Sequence, residues 1–143
     1  AACDVCEMEG LLIPPFSTET QKRIEELLPP LAIRTNPVDM GPAWYDSEAI
    51  KGIVHTVLED KNIDAIILCI MFASANRPAV GILTDLLLKR RPDKPILCCF
   101  SSPAGIWDDE IKRLEGSGIP NYPAPERAAK TLVNLFRLKK MRE

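Results

Sequence analysis

Histidine is almost missing from this chain: among 143 residues there is one, His55. A lone histidine rules out clustered imidazole ligands and leaves little room for a histidine-based relay. By the 100° helical step, His55 also lies about 130° from the centre of its helix's apolar stripe, so it reads as a surface residue. The seven glycines are scattered singly. Neither Gly-x-Gly-x-x-Gly nor Gly-Lys-Ser/Thr occurs, so the chain carries no nucleotide fingerprint of its own. No apolar run reaches the roughly 18 residues of a membrane span. A formal net charge of −2 gives no reason to expect nucleic acid. The basic residues Arg137, Lys139, Lys140 and Arg142 read as an exposed helix end. Five cysteines is an odd number, and Cys69, Cys98 and Cys99 fall inside strand-like runs. They read as buried free thiols of a reducing compartment, here the cytoplasm, rather than a disulfide framework. Cys3 and Cys6 form a Cys-x-x-Cys with no second pair to complete a zinc site, so packing accounts for them and no metal site is expected.

What is present is a regular exchange of helix and strand periods. Residues 1–9 read as a helix stopped at Gly10, followed by a brief strand Leu11-Leu12-Ile13 closed by two prolines. Thr18-x-x-Gln21 is a capping box for a helix carrying Ile24, Leu27 and Leu28. Val38 to Met40 reads as a short strand, and Asp46 or Ser47 as the cap of a helix with Ile50, Ile53, Val54, Val57 and Leu58 on one face. Residues 65–72 and 95–100 are apolar throughout, as expected of strands buried on both sides in a parallel sheet. Helices near 78–90 and 105–115, a short strand over 119–122, and a last helix opened by Pro125 and burying Ala129, Leu132, Val133 and Phe136 complete the pattern. Strand and helix alternate about five times, which predicts a three-layer, doubly wound, mainly parallel α/β domain spanning residues 1–143. Ligands of such sheets sit at the carboxyl ends of the strands. One feature departs from that pattern: the chain opens on a helix, so the sheet's N-terminal strand is apparently lacking. The opening Ala-Ala-Cys reads as the start of a fragment or a processed end.

Two phrases, Asn36-Pro37-Val38-Asp39-Met40-Gly41 and Gly118 to Ala129, each join an apolar strand to a helix through Pro, Gly and a few polar groups. Asp39 reads either as a carboxylate holding its own turn or as a polar anchor at a domain junction. Asn36 could fix the loop or contact a ligand. Phe72-Ala73-Ser74-Ala75-Asn76-Arg77-Pro78 follows a buried strand, and its small residues would let backbone N–H groups approach a carboxylate or phosphate. Helix capping by Ser74 or Asn76 is the alternative. For Ser101-Ser102 capping is the preferred reading. Trp44 and Trp107 lie near these loops. Nowhere does a nucleophile meet a base.

The ordered set Asp4-Val5-Cys6-Glu7, Gly10-Leu11, Ser17-Thr18-Glu19-Thr20, Leu27-Leu28-Pro29-Pro30, Asn36-Pro37-Val38-Asp39, Gly118-Ile119-Pro120, Tyr122-Pro123 and Pro125-Glu126-Arg127-Ala128-Ala129 resembles the third alpha-subunit domain of nucleoside-diphosphate-forming acyl-CoA synthetases. It is similar, more distantly, to the flavodoxin-like domain at the C-terminus of the succinyl-CoA synthetase beta subunit. The resemblance implies a parent ligase that makes acyl-CoA from a small carboxylic acid, CoA and ATP or GTP with Mg. It further implies a phosphohistidine carried by another domain, and CoA-binding and ATP-grasp modules as partners. His55 does not match that phosphohistidine, whose glycine-rich loop is not in this chain. By the same resemblance a helix N-terminus at Ala1, Ala2 and Cys3 would face the phosphohistidine. The loops with Asn36, Asp39, Gly41, Phe72, Ala73, Ser74, Asn76, Ser101 and Ser102 would line the acyl and phosphate sites. Succinyl-CoA synthetases have a Gly-Gly pair where this chain has Phe72-Ala73-Ser74, which implies an acyl group without a second carboxylate. Relatives carry a strand and a glycine turn ahead of the first helix. The resemblance implies that this central strand is truncated here or supplied by a partner. No catalytic residue is expected within the chain, and alone it should be inactive. Two other readings stay open: the acyl-CoA-responsive regulatory part of a protein acetyltransferase, and a receiver-like binding module.

Overall fold

The computed structural model describes residues 1–90 and 93–143. At its centre two parallel strands, β1 (Ile66–Met71) and β2 (Ile96–Ser101), pair in register from Ile66 with Ile96 to Met71 with Ser101. Successive strand residues point to opposite faces, so alternation assigns each side chain to a layer. Ile66, Leu68, Ile70, Ile96, Cys98 and Phe100 enter the larger core, whereas Ile67 and Leu97 enter a smaller one on the other face. The helices are α1 (Ala2–Met8), α2 (Thr18–Leu27), α3 (Ser47–Glu59), α4 (Ala79–Arg90), α5 (Asp108–Gly116) and α6 (Pro125–Arg142). Ile24 of α2, Ile50 of α3, Leu83 of α4 and Leu114 of α5 fill the larger core. Ala128 and Leu132 of α6 cover the opposite face, with α1 packed against α6. Helices therefore flank the strands on both sides, the α/β layering that the apolar strand runs demanded.

Local chemistry sets the boundaries. Gly10, at φ +87, turns the chain so that the Leu11 N–H donates to the Cys6 carbonyl at 2.8 Å and ends α1. Ser17, one residue before the expected cap, accepts the Thr20 N–H at 3.3 Å. Asp46 caps α3 by accepting from Glu48 and Ala49. On the apolar stripe of α3 Ile50, Ile53, Val54 and Leu58 are buried and Val57 is half-buried, while His55 is exposed. α5 starts at Asp108, later than expected, because the Asp108 carboxylate accepts the Gly105 N–H at 3.0 Å and holds residues 105–108 as a turn.

Three expected strands are reduced or missing. Leu11 to Ile13 is extended but unpaired. Val38 to Met40 shrinks to one antiparallel bridge between Asp39 and Ile33, after which Met40 is already in helical conformation. Ile119 to Tyr122 is a single parallel bridge of Asn121 with Cys98. There Cys98 donates to the Pro120 carbonyl and Tyr122 donates back to Cys98, each at 2.8 Å. The next ladder position, Phe100 N–H, is taken by the side-chain carbonyl of Asn121 at 2.9 Å. Pro120 and Pro123 have no N–H to lengthen the ladder. The Cys69 expectation also fails: this residue is exposed, and among the described residues no strand pairs with the far side of β1.

Asp60 was not singled out in the sequence, yet it clasps the entry to α2 against the end of α3. It is 2% exposed and accepts from Ser17 N–H at 2.9 Å and Asn62 N–H at 2.8 Å. Lys94 donates to its backbone carbonyl. Burial by itself would raise the carboxyl, but hydrogen bonds from Asn62, Thr20 and Ser17 outweigh it and hold the group below its ordinary 3.8. A lowered folded value means that the ionised carboxylate stabilises the fold above the ordinary value, and that this contribution is lost as pH falls through the folded one. Asp60→Ala should therefore cost about 1–3 kcal/mol in urea denaturation near neutral pH, by stranding two N–H donors. The stabilities of the two proteins should converge as the pH falls through and below the lowered folded value.

Candidate functional site

Parallel pairing brings the carboxyl ends of β1 and β2 to one edge, where the Phe72 N–H donates to the Ser101 carbonyl at 2.8 Å. The short 3₁₀ turn Ser74–Asn76 follows β1 and touches the 3₁₀ turn Gly41–Tyr45 that precedes α3. Gly41, Phe72, Ala73, Ser74, Asn76, Ser101 and Ser102 are thus gathered on the loops of this edge. The Phe72 ring meets the buried Trp107 edge-on, with centroids 5.6 Å apart, and Trp107 donates Nε1–H to the Arg77 carbonyl at 3.0 Å. Ala73, Ser74 and Ser101 remain exposed, leaving a surface of small residues over an aromatic floor.

Asn76 and Asp39 are each used by their own loop. Asn76 is buried; its Oδ1 accepts the Ala73 N–H and its Nδ2 donates to the Met71 carbonyl, both at 2.9 Å. Asp39 accepts the Gly41 N–H at 3.0 Å, where Gly41 sits at φ +48. Neither Ser101 nor Ser102 caps α5, whose N-cap is Trp107 with no side-chain bond. Such an edge can present backbone dipoles to a ligand but holds no arranged proton-transfer pair.

The remaining candidates lie elsewhere. The Asn36 amide donates to the Pro14 carbonyl at 2.9 Å, and the bond to Pro37 is cis. Asn36 with Ala2 and Cys3 borders a hollow of about 650 Å³ that runs along the outer side of β1. Its walls are Leu11 to Pro14, Val38 and residues 65–69, and they are mostly apolar. Ala1 opens α1 beside α6, close enough to Glu126 to feel its charge. Asp4 and Glu126 therefore place two carboxylates near that helix end. In the same hollow, desolvation by the apolar walls, then the neighbouring Cys99, pushes the Cys69 thiol up to about 11. Burial pushes Cys98 up to about 12. Thiols held so far above neutrality are poor nucleophiles. Among the described residues no three His, Cys, Asp or Glu side chains converge as metal ligands.

The sequence points to Asn76 as a cap but not to its double role; Asn121, inside the second phrase, and Asp60 were not singled out, and of these two Asn121, next to Pro120 at a strand end, carried the local signal. Asn76→Ala should cost about 1–3 kcal/mol by removing two part-buried hydrogen bonds, to the Ala73 N–H and the Met71 carbonyl. Protease nicking within residues 72–78 should accelerate before global unfolding does, as limited digestion would reveal.

No protein-family model matches the chain. Among curated proteins it is 30% identical over 141 residues to the ADP-forming acetate–CoA ligase I of Archaeoglobus fulgidus, covering 98% of this chain and 19% of that protein. It is 31% identical over 137 residues to the alpha subunit of ADP-forming acetate–CoA ligase II of Pyrococcus furiosus, covering 88% of this chain and 28% of the subunit. Among solved structures it superposes, with a TM-score of 0.79 and 18% identity, on a dinucleotide-forming acetyl-coenzyme A synthetase of Ca. Korarchaeum cryptofilum in complex with phosphate and ADP. That match covers 94% of this chain and 29% of the other. The chain therefore spans less than a third of the length of these proteins. Along nearly all of its own length it is similar to one segment of the ADP-forming acetate–CoA ligases, and it has the α/β fold of the corresponding part of an acetyl-CoA synthetase.

Proposed function

We propose that these residues form the flavodoxin-like portion of an acyl-CoA synthetase that joins a small carboxylic acid to CoA while ATP is converted to ADP and phosphate. The observation that carries this reading is similarity to acetate–CoA ligases along 98% of the chain. It fits an edge of exposed small residues without a nucleophile or base of its own. In this proposal a phosphohistidine of another domain passes the phosphoryl group, and CoA-binding and ATP-grasp modules hold the thiol and the nucleotide. Magnesium is assigned to those modules too, since the acidic side chains described here do not converge. No step is derived through it.

The contribution of this chain is shape and dipoles. The exposed loop at Ala73 and Ser74 would meet the carboxylate or acyl phosphate; the Ala73 N–H is engaged by Asn76, so the backbone from Ser74 onward would supply N–H groups to the developing negative charge. Phe72, held by Trp107, makes the floor apolar, which suits an acid such as acetate better than a dicarboxylate. The α1 N-terminus at Ala1, Ala2 and Cys3 is the proposed phosphate-facing element, although Asp4 and Glu126 oppose an anion there. Among the described residues no helix is long and apolar enough to cross a membrane, and the proposed setting is the cytoplasm.

Two outcomes are expected. The 143-residue chain alone, given acetate, CoA, ATP and magnesium, should form no thioester by loss of free thiol; turnover would contradict the proposal. In the intact enzyme, Phe72→Gly should lower the preference for acetate over succinate, read as the ratio of kcat/KM values. An unchanged ratio would remove Phe72 from the acyl site.

A further inference from the structure

Two of the five cysteines stand directly opposite each other, because the parallel register pairs Cys69 of β1 with Cys99 of β2. Their even-numbered neighbours Leu68, Ile70, Cys98 and Phe100 enter the larger core. Alternation therefore puts Cys69 and Cys99 together on the other face, the one α6 covers, and separates Cys98 from Cys99 although they adjoin in sequence. Neighbouring strands lie about 4.8 Å apart, inside the roughly 4.4–6.8 Å between Cα atoms that a disulfide spans. The two thiols also act on each other. Burial raises both, and beyond burial their side-chain contact favours the Cys99 thiolate and disfavours that of Cys69, as when the Cys69 S–H points at the Cys99 sulfur. Their access differs: Cys99 is 4% exposed, whereas Cys69 is exposed and borders the hollow. Cys3 lies on α1 and reaches Cys69 only through its charge, and Cys6 is buried on the same helix.

We propose that Cys69 and Cys99 are a reversibly oxidised pair, which hydrogen peroxide converts into a disulfide that staples β1 to β2 just beneath the loops of the candidate site. Cys69, on the hollow, is reached first. Its sulfur, as thiolate, attacks one peroxide oxygen; the O–O bond breaks, hydroxide leaves and is protonated to water, and Cys69 becomes a sulfenic acid. The Cys99 sulfur then attacks the Cys69 sulfur, the S–O bond breaks, and the departing hydroxide takes the Cys99 proton. Two thiols and one peroxide thus give one disulfide and two waters, and an added dithiol such as dithiothreitol reverses the change by exchange. Desolvation first, and then Cys99, hold the Cys69 thiol up at about 11. The first step is therefore slow at neutral pH, which keeps the pair reduced until peroxide is abundant. Phe72 lies three residues after Cys69 and Ser101 two after Cys99, and those two residues share the 2.8 Å hydrogen bond at the carboxyl edge. The staple accordingly ties together the roots of both loops. This inference does not depend on the function proposed above.

The test treats the folded 143-residue chain with hydrogen peroxide at about pH 9, where more of a weakly acidic thiol is ionised. The product is then alkylated and mapped by mass spectrometry. The chain should keep three alkylatable thiols of its five and yield one cross-link, Cys69 to Cys99, that dithiothreitol removes. Cys3→Ala and Cys98→Ala should retain that cross-link. Cys99→Ala should instead leave a sulfenic acid at Cys69, captured by dimedone at least about tenfold more than in the unsubstituted chain. Protease nicking within residues 72–78 should slow at least about threefold in the disulfide form and recover on reduction. A link from Cys69 to Cys3 or Cys98, or links between chains, would overturn the pairing. So would five thiols left alkylatable in the folded chain under conditions that oxidise the urea-unfolded one. Sulfinic acid at Cys69 with Cys99 left free would overturn the second step, and unchanged nicking in the disulfide form would overturn the staple.

Discussion

The register of β1 against β2 is the constraint from which the other features follow. Because Ile66 lies opposite Ile96 and the strands run parallel, both chains leave the sheet at one edge, within a hydrogen bond of each other at Phe72 and Ser101. That contact puts the Ser74–Asn76 turn, the Gly41–Tyr45 turn and the Ser101–Gly105 segment on one surface. The same pairing commits even-numbered groups of β1 to β2 and odd-numbered ones to the other side. One ladder thus decides both where a ligand could meet the loops and where the sheet is incomplete.

The loops at this edge are stiffened from within. Asn76 bonds on both sides of its own turn, Asp39 holds Gly41, and Asp108 holds Gly105. Trp107 joins the loop of β1 to that of β2 by packing on Phe72 and Phe100 while bonding to Arg77. A surface stiffened in this way is suited to present its backbone in a fixed geometry, which is the form of electrostatic preorganisation that needs no titrating group. Asn76, Asp39, Asp108 and Trp107 thus serve the architecture that positions the main chain.

Much of this was legible because apolar period and position speak directly. Residues 65–72 and 95–100 have no polar face, and that alone announces a buried parallel pair; the stripe of α3, the Asp46 cap and Pro125 in the first turn of α6 were equally plain. The short strands were not. Whether Leu11 to Ile13 or Val38 to Met40 forms a ladder depends on a neighbour, and no residue type reports whether a neighbour is present. Cys69 illustrates the point: its surroundings read as a core strand, yet it is exposed, and among the described residues no strand pairs with that side of β1. Asn121 and Asp60 were hard for another reason. The partners of Asp60 at Ser17 and of Asn121 at Phe100 are distant in sequence, so only the folded chain shows that these polar groups close hydrogen-bond accounts across the core.

Asn121 carries a consequence of its own. By offering an amide oxygen to Phe100 where a backbone carbonyl would otherwise sit, it finishes that margin of the β-structure after a single rung. The molecule is thereby asymmetric across its width: the selvedge beside β2 is sewn shut by a side chain, whereas no such stitch is found beside β1 among the described residues.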